Sequence, residues 1–284
     1  MPQRSKGRSS LRPFVFLPPG SAPAAAPTPA PAPAPVRVGV AVGVVSLSDT
    51  RSEQALTTTL EYDPTSWLSL SVFPSGVRIS QTPAAGGRTV SRSGLTDLPV
   101  SAAASYTFPT GWSPNLGAGV IVTLPTGACG LGTGVASVGI NGGIGIAPLD
   151  PLRLSVDASR SLTGNVSQSA LVPAAATWVS GNASVTLSDR WTATVSYGTA
   201  LGVPDSLVSR ELGGGLSYTL AAPLTLTFDA SHGLTRGSPR WVFSMGFGTA
   251  FAGISAVTPT APLRRLQTTF VGGRAVTTTT TACP

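Results

Sequence analysis

An all-β fold, an antiparallel transmembrane β-barrel of about twelve strands, is what this sequence predicts, on three observations. Across the middle of the chain apolar residues recur at every second position, the period of a strand with two unlike faces. Only 10% of the 284 residues are charged while 42% are hydrophobic, against roughly a quarter charged in soluble domains. No run reaches the ~18 consecutive apolar residues of a membrane-crossing helix. A chain this apolar meets lipid most readily through a closed sheet, whose backbone groups are all satisfied between strands.

The strands follow in order. The first, from residue 36, sets Val36, Val38, Val40, Val42 and Val44 against Arg37, Gly39, Ala41 and Gly43. The second opposes Leu56, Thr58, Leu60 and Tyr62 to Thr57, Thr59 and Glu61. In the third, Leu68, Leu70 and Val72 oppose Ser69 and Ser71. The fourth places Leu98, Val100, Ala102, Ala104, Tyr106 and Phe108 on one face, with Pro99 near its start, where a missing backbone donor is best tolerated. Seven more segments read 115–124, 136–146, 152–160, 177–187, 191–198, 210–219 and 224–231. The twelfth, 240–251, sets Trp241, Phe243, Met245, Phe247 and Phe251 against Val242, Ser244, Gly246, Gly248 and Ala250.

The connections alternate in length. Residues 63–66, 109–114, 147–151, 188–190 and 220–223 form short turns; 49–54, 74–96, 125–135, 161–176, 199–209 and 232–239 form longer loops. Short turns at one end and long loops at the other mark an outer-membrane barrel, whose short turns face the periplasm. The aromatics divide likewise. Tyr62, Trp67, Tyr106, Phe108, Trp191, Tyr218 and Phe251 fall at the short-turn ends, and Phe73, Trp178, Tyr197, Trp241 and Phe243 near the long-loop ends. Two belts are what two lipid–water interfaces select. An aromatic closing the last strand also resembles an outer-membrane assembly signal.

The formal charge of +7 belongs to the ends. All 11 acidic residues lie within 37–251, together with 11 arginines. The excess sits on Arg4, Lys6, Arg8 and Arg12, and on Arg264, Arg265 and Arg274. A nucleic-acid partner would need a basic face on the folded part, so none is expected. Residues 1–35 read as a disordered basic and Pro/Ala-rich segment. Its short apolar piece, Phe14–Leu17, falls short of the 7–15 residues of a secretory signal, and its Pro/Ala run favours extended polyproline II. Residues 252–284 read as a disordered tail. Cys129 and Cys283, on opposite sides of the barrel, suggest neither a disulfide framework nor a zinc site.

Gly, Ser, Thr and Ala dominate the inward face. A few charges join them: Glu61, Arg153, Asp157, Glu211, Asp229 and Arg240. Arg153, Asp157, Glu211 and Asp229 are the expected pore-lining residues, because charges on an otherwise neutral wall tune selectivity. Bracing of the wall by charge pairs is the competing role. No catalytic site and no cofactor are expected. The single histidine, His232, is followed two positions later by Leu234 rather than serine, and nearby Asp229 has the opposite parity, whereas a triad needs a base held by a third group. The glycine-rich stretches 130–134 and 142–145 lack the Gly-Lys-Ser/Thr of a phosphate loop.

Two stretches carry a resemblance: Ser93-Gly-Leu-Thr-Asp97 leading into Leu98–Phe108, and Val122-Thr-Leu-Pro-Thr-Gly127 followed by Gly130-Leu-Gly-Thr-Gly134. Over about residues 93–146 the chain resembles outer-membrane transporters of the MetA-pathway phenol-degradation family. It departs from them at Thr96, where the family has Gly, and at Ala128, where the family has an acidic residue. The resemblance implies an outer-membrane location and passage of small hydrophobic or aromatic molecules. The partners expected are the lipid bilayer and a small-molecule solute. The alternative is a non-conducting structural or surface-binding barrel, with the arginines of loop 74–96 (Arg78, Arg88, Arg92) as its contact.

Overall fold

The computed structural model describes residues 36–251, apart from 49, 83–86, 110, 129–130, 133–134, 163–176, 203–207 and 237. The expected N-terminal segment, the C-terminal tail and both cysteines lie outside the described residues. The alternating segments become β1 (Val36–Ser48), β2 (Arg51–Thr65), β3 (Leu68–Val72), β4 (Ser75–Gln81), β5 (Val90–Leu95), β6 (Leu98–Thr107) and β7 (Asn115–Leu124). Then follow β8 (Ser137–Leu149), β9 (Leu152–Ser161), β10 (Thr177–Thr186), β11 (Trp191–Leu201), β12 (Arg210–Ala221), β13 (Leu224–Gly233) and β14 (Trp241–Gly248).

These fourteen segments make twelve staves. β3 and β4 pair end to end along β2 and form one stave, broken at Phe73-Pro74. β5 pairs with β4 and β6 with β3, so they form the next, broken at Thr96-Asp97. Every pairing is antiparallel, and β1 pairs with both β2 and β14, closing the ring. Closure removes the free strand edges around the ring, while β5 pairs with β4 on one side and with no strand on the other among the described residues.

The two faces are chemically opposite. Val36, Val38, Val40, Val42 and Val44 of β1 are exposed on the outside, and Gly39, Ala41 and Gly43 are buried inside. Glu53, Ala55, Thr57, Thr59 and Glu61 of β2 are buried inside, while Leu56 and Leu60 are exposed. Outward apolar chains that would be costly in water suit a hydrocarbon surround.

Two expected connections are reassigned. Loop 74–96 is largely strand, since β4 and β5 continue the third and fourth staves upward. Their polarity is inverted, which is why a search for apolar outward chains misses them. Val77 of β4 points inward and packs with Val45, Ala55 and Val242, with Ile79 and Leu47 against the same cluster. Arg78, opposite Ser93, is outward and exposed, and Arg92, opposite Ile79, is exposed at the rim. Loop 49–54 shrinks to two residues, because β2 begins at Arg51 and Glu53 is buried inside the barrel. The last strand ends at Gly248, whose φ of 145° lies where a side chain is strained. A short 3-10 turn, Thr249–Phe251, follows.

The aromatic belts need two corrections. Tyr62, Trp67, Tyr106, Phe108 and Trp191 are exposed at the short-turn end, and Tyr197, Trp241 and Phe243 at the other. Phe73 is buried, inward at the break between β3 and β4, in step with Ser71 and Ser75. Trp178 is also inward, in step with Ser180 and Asn182, and its indole lies over Gly198. Both residues follow the parity of their strands rather than their place near a strand end.

Candidate functional site

The inner wall has two contrasting sides. On the first, around β1 and β2, charge is paired. The Arg37 guanidinium donates to Glu61 Oε1 at 2.8 Å and to Asp63 Oδ2 at 2.9 Å, and Ser69 adds a hydroxyl donor to Glu61 at 2.7 Å. Nearer the other end, Arg51 donates to Glu53 Oε1 at 2.8 Å. The Arg37 pairs brace β1 against β2, and the Arg51–Glu53 pair neutralises charge within β2 itself.

The other side, formed by β9–β13, carries the predicted residues. The register fixes their relation. One row across the strands holds Asp157, Ser180, Gly198 and Glu211. The next inward row holds Ser155, Asn182, Ser196, Gly213 and Ser231. The third holds Arg153, Ser184, Thr194, Gly215 and Asp229. All four predicted residues therefore share one inward surface, in two rows four residues apart along the strands.

Their surroundings differ. Asp157 is buried and accepts from Ser180 Oγ and Asn182 Nδ2, each at 3.0 Å. A side chain at Gly143 would meet Asp157 Cβ at 2.8 Å, so glycine makes the room. Glu211 is buried and accepts from Ser209 Oγ at 3.3 Å. Asp229 is half-buried; Ser244 Oγ approaches it at 3.5 Å, and the missing side chain of Gly215 leaves space for its carboxylate. Arg153 is exposed, at the short-turn end of β9.

A recess of about 80 Å3 lies against this wall, bordered by Trp178, Asn182, Ser196, Glu211, Asp229 and Ser231. Thus Glu211 and Asp229 border it directly, and Asp157 borders it through Asn182. Arg153 does not border it. Sequence reasoning missed Trp178 here; the inward parity it shares with Ser180 and Asn182 was the available signal. A larger concavity, about 1130 Å3, is walled by Val42, Val44, Leu56, Phe228, Phe243 and Met245. The same concavity is also lined by Gly43, Ala55, Val77, Gly215, Asp229 and Ser244, which alternate with the outward residues along seven neighbouring staves and point inward.

His232 is also outward. Its Nδ1 lies 2.8 Å from the Arg240 carbonyl and its ring packs on Trp241 at 4.4 Å, on the face opposite Asp229.

The two resembling segments meet at the second break in the wall, Thr96-Asp97. The Asp97 carboxylate is buried where β5 gives way to β6, and Gly127 of the Leu-Pro-Thr-Gly turn donates its N–H to Oδ1 at 2.9 Å. Gly132 packs on the same carboxylate, Leu131 packs on Gly94, and Ala128 N–H donates to the Leu95 carbonyl at 2.8 Å. The loop after β7 is thereby folded against the junction of β5 and β6.

No family model and no curated protein matches the chain. Solved structures do. An outer membrane channel from Pseudomonas putida F1 superposes with a TM-score of 0.56 at 15% identity, covering 76% of this chain and 95% of the channel. The Pseudomonas putida toluene transporter TodX gives 0.44 at 10% identity, over 76% of this chain and 89% of that one. The CymD monoaromatic hydrocarbon channel gives 0.42 at 11%, over 75% and 87%. The first of these likenesses, with the closed ring of twelve staves, gives the chain the fold of an outer-membrane β-barrel.

Proposed function

We propose that the protein is an outer-membrane channel or transporter for small hydrophobic or aromatic molecules. The observation that carries this is the division of one closed wall into a largely apolar, lipid-compatible outside and a polar inside with a recess between β10 and β13. A purely structural barrel has no need to gather three carboxylates and a tryptophan on one inner surface. The resemblance of residues 93–146 to the MetA-pathway phenol-degradation transporters supports the solute class, and Asp97 and Gly127 give those segments a shared structural role. Similar barrels are named for toluene and for monoaromatic hydrocarbons. The chain is read as a channel rather than an enzyme, and its pore lining as Arg153, Asp157, Glu211 and Asp229. In this reading residues 22–35, within the basic and Pro/Ala-rich segment 1–35, are a spacer and 252–284 a tail.

Single-channel recording in planar bilayers tests conduction, and uptake into liposomes tests passage of a small aromatic solute such as toluene. Conductance whose ion selectivity shifts in Asp157→Asn and Glu211→Gln supports both the channel and its lining. Unchanged selectivity keeps the channel and discards the lining. Absence of both conductance and uptake favours a non-conducting surface barrel, for which the exposed Arg78 and Arg92 of the β4–β5 hairpin offer a contact.

A further inference from the structure

We infer that the recess on the β10–β13 wall is a binding site for the ammonium group of a small organic cation, with an aromatic or aliphatic body left in the lumen. The inference deepens the channel reading and rests on it for solute access.

Gly213 forms the floor. A Cβ there would meet Ser196 Oγ at 2.7 Å and Ser231 Cβ at 3.2 Å, so only glycine fits between the two serines that border the recess. Glu211 lies two residues from Gly213 along β12, and Asp229 lies across from Gly215, on the other side. Trp178 stands over Gly198, which pairs with Glu211. The recess is thus bordered by two carboxylates, the hydroxyls of Ser196 and Ser231, the Asn182 amide and the Trp178 indole.

A second observation points to a ligand. Ser231 borders the recess and is only 4% exposed, and its buried hydroxyl has no hydrogen-bond partner among the described residues. A buried hydroxyl without a partner is costly. A donor-rich head in the recess supplies what it lacks.

The chemistry selects among ligands. Two carboxylates border the recess together with the Trp178 indole, a combination that favours an organic ammonium over a neutral polar group. A single metal ion fits poorly. The register puts Glu211 and Asp229 four residues apart along the strands, about 13 Å at the rise of a strand, too far for one small ion to bridge at backbone-limited reach. An ammonium needs only one of the two, because a single carboxylate and the neighbouring hydroxyls meet its three donors. The volume of about 80 Å3 admits a head group and not a whole aromatic molecule, so the body must project into the lumen.

The full-length protein, refolded in detergent micelles, is titrated with 2-phenylethylammonium and with its uncharged counterpart 2-phenylethanol. Binding is read by calorimetry and by quenching of tryptophan emission. The ammonium should bind at least tenfold more tightly than the alcohol. Asp229→Asn should weaken it about tenfold, Ser231→Ala about threefold, and Trp178→Phe should remove the quenching. Strand-type circular dichroism and heat-dependent gel migration identify variants that fail to fold, and Ser231→Ala, the smallest change, keeps the test open if others do. Equal affinity for the two compounds overturns the inference, as does ammonium binding that Asp229→Asn and Trp178→Phe both leave unaltered. Because the assay needs no conduction, a silent bilayer recording with selective ammonium binding would remove the channel reading and keep this site; conduction without selective binding would do the reverse.

Discussion

The carboxylate of Asp97 accepts a hydrogen bond from the backbone N–H of Gly127 at 2.9 Å, joining a break in one stave to a turn 30 residues further along. The acceptor is charged and buried, so the bond belongs to the stronger class. It holds the loop after β7 against the junction of β5 and β6, where β6 alone continues the pairing with β7. Asp97→Ala should lower stability by about 1.5–3 kcal/mol, the range for hydrogen bonds to charged groups. Protease cleavage after Leu131 should become faster in the folded protein. Cleavage at the wild-type rate would show that the packing of Leu131 on Gly94 holds the loop unaided.

Arg37 serves two acceptors at once, and Glu61 beneath it is fully buried. Arg37→Ala removes the cation and leaves that carboxylate inside the barrel. The loss should be about 3 kcal/mol, the low end for breaking a buried pair, because Ser69 still donates to Glu61. Adding Glu61→Gln to Arg37→Ala should restore part of it. Urea unfolding in lipid vesicles, followed by tryptophan fluorescence, measures both steps. A double variant no more stable than the single one would place the cost elsewhere than on the stranded charge.

Gly143 faces Asp157 across the β8–β9 ladder, and a Cβ at that position would meet Asp157 Cβ at 2.8 Å and the Val156 carbonyl oxygen at 2.9 Å. Gly143→Val should therefore push Asp157 away from Ser180 and Asn182. Crowding of this kind costs about 1–3 kcal/mol. If Asp157 lines the pore, ion selectivity should move with it. Thermal unfolding in micelles and bilayer recording check the two effects separately, and an unchanged midpoint would show that the β8–β9 ladder relaxes.

Val195 and Thr194 are neighbours in the middle of β11 with opposite fates, the first exposed outside and the second facing the recess side. Val195→Arg should cost about 2–4 kcal/mol if its position lies at mid-membrane depth, as charged groups on the lipid face do. Thr194→Arg should fold into vesicles with nearly wild-type stability and reduce conductance. The comparison of folding yields assigns the faces directly. Equal penalties would mean that the wall at β11 has no lipid-facing side.

The sequence made the ring legible wherever lipid is outside and small polar residues are inside. Leu98–Thr107 is such a strand, and its apolar residues stand in the expected alternation. β4 and β5 escaped for a physical reason. There Val77 and Ile79 turn inward to an apolar cluster and Arg78 turns out to solvent, so the pattern that marks a membrane stave is reversed. The inward charges were readable from parity alone, and Asp157, Glu211 and Asp229 lie on one surface as parity requires. Their spacing was not readable, because it depends on register, and register is set between strands rather than within them. Trp178 and Phe73 show the same limit from the other direction: placement near a strand end suggested an interface, while the alternation within each strand pointed inward.

The seam between the first and last staves has its own consequence. Eight consecutive residues of β1 pair with β14, from Gly39 opposite Gly248 to Ser46 opposite Trp241. Beyond the ladder, Val38 N–H donates to the hydroxyl of Thr249 at 2.9 Å. Residues more than 190 positions apart thus complete each other's backbone bonding, and no intermediate number of staves can do so. In a hydrocarbon medium each unmatched amide or carbonyl costs several kcal/mol. A chain lacking β14 would present two bare rims to lipid rather than a slightly smaller barrel. Insertion is therefore a commitment of the whole circumference at once, and the final strand acts as the keystone that makes the earlier ones tenable.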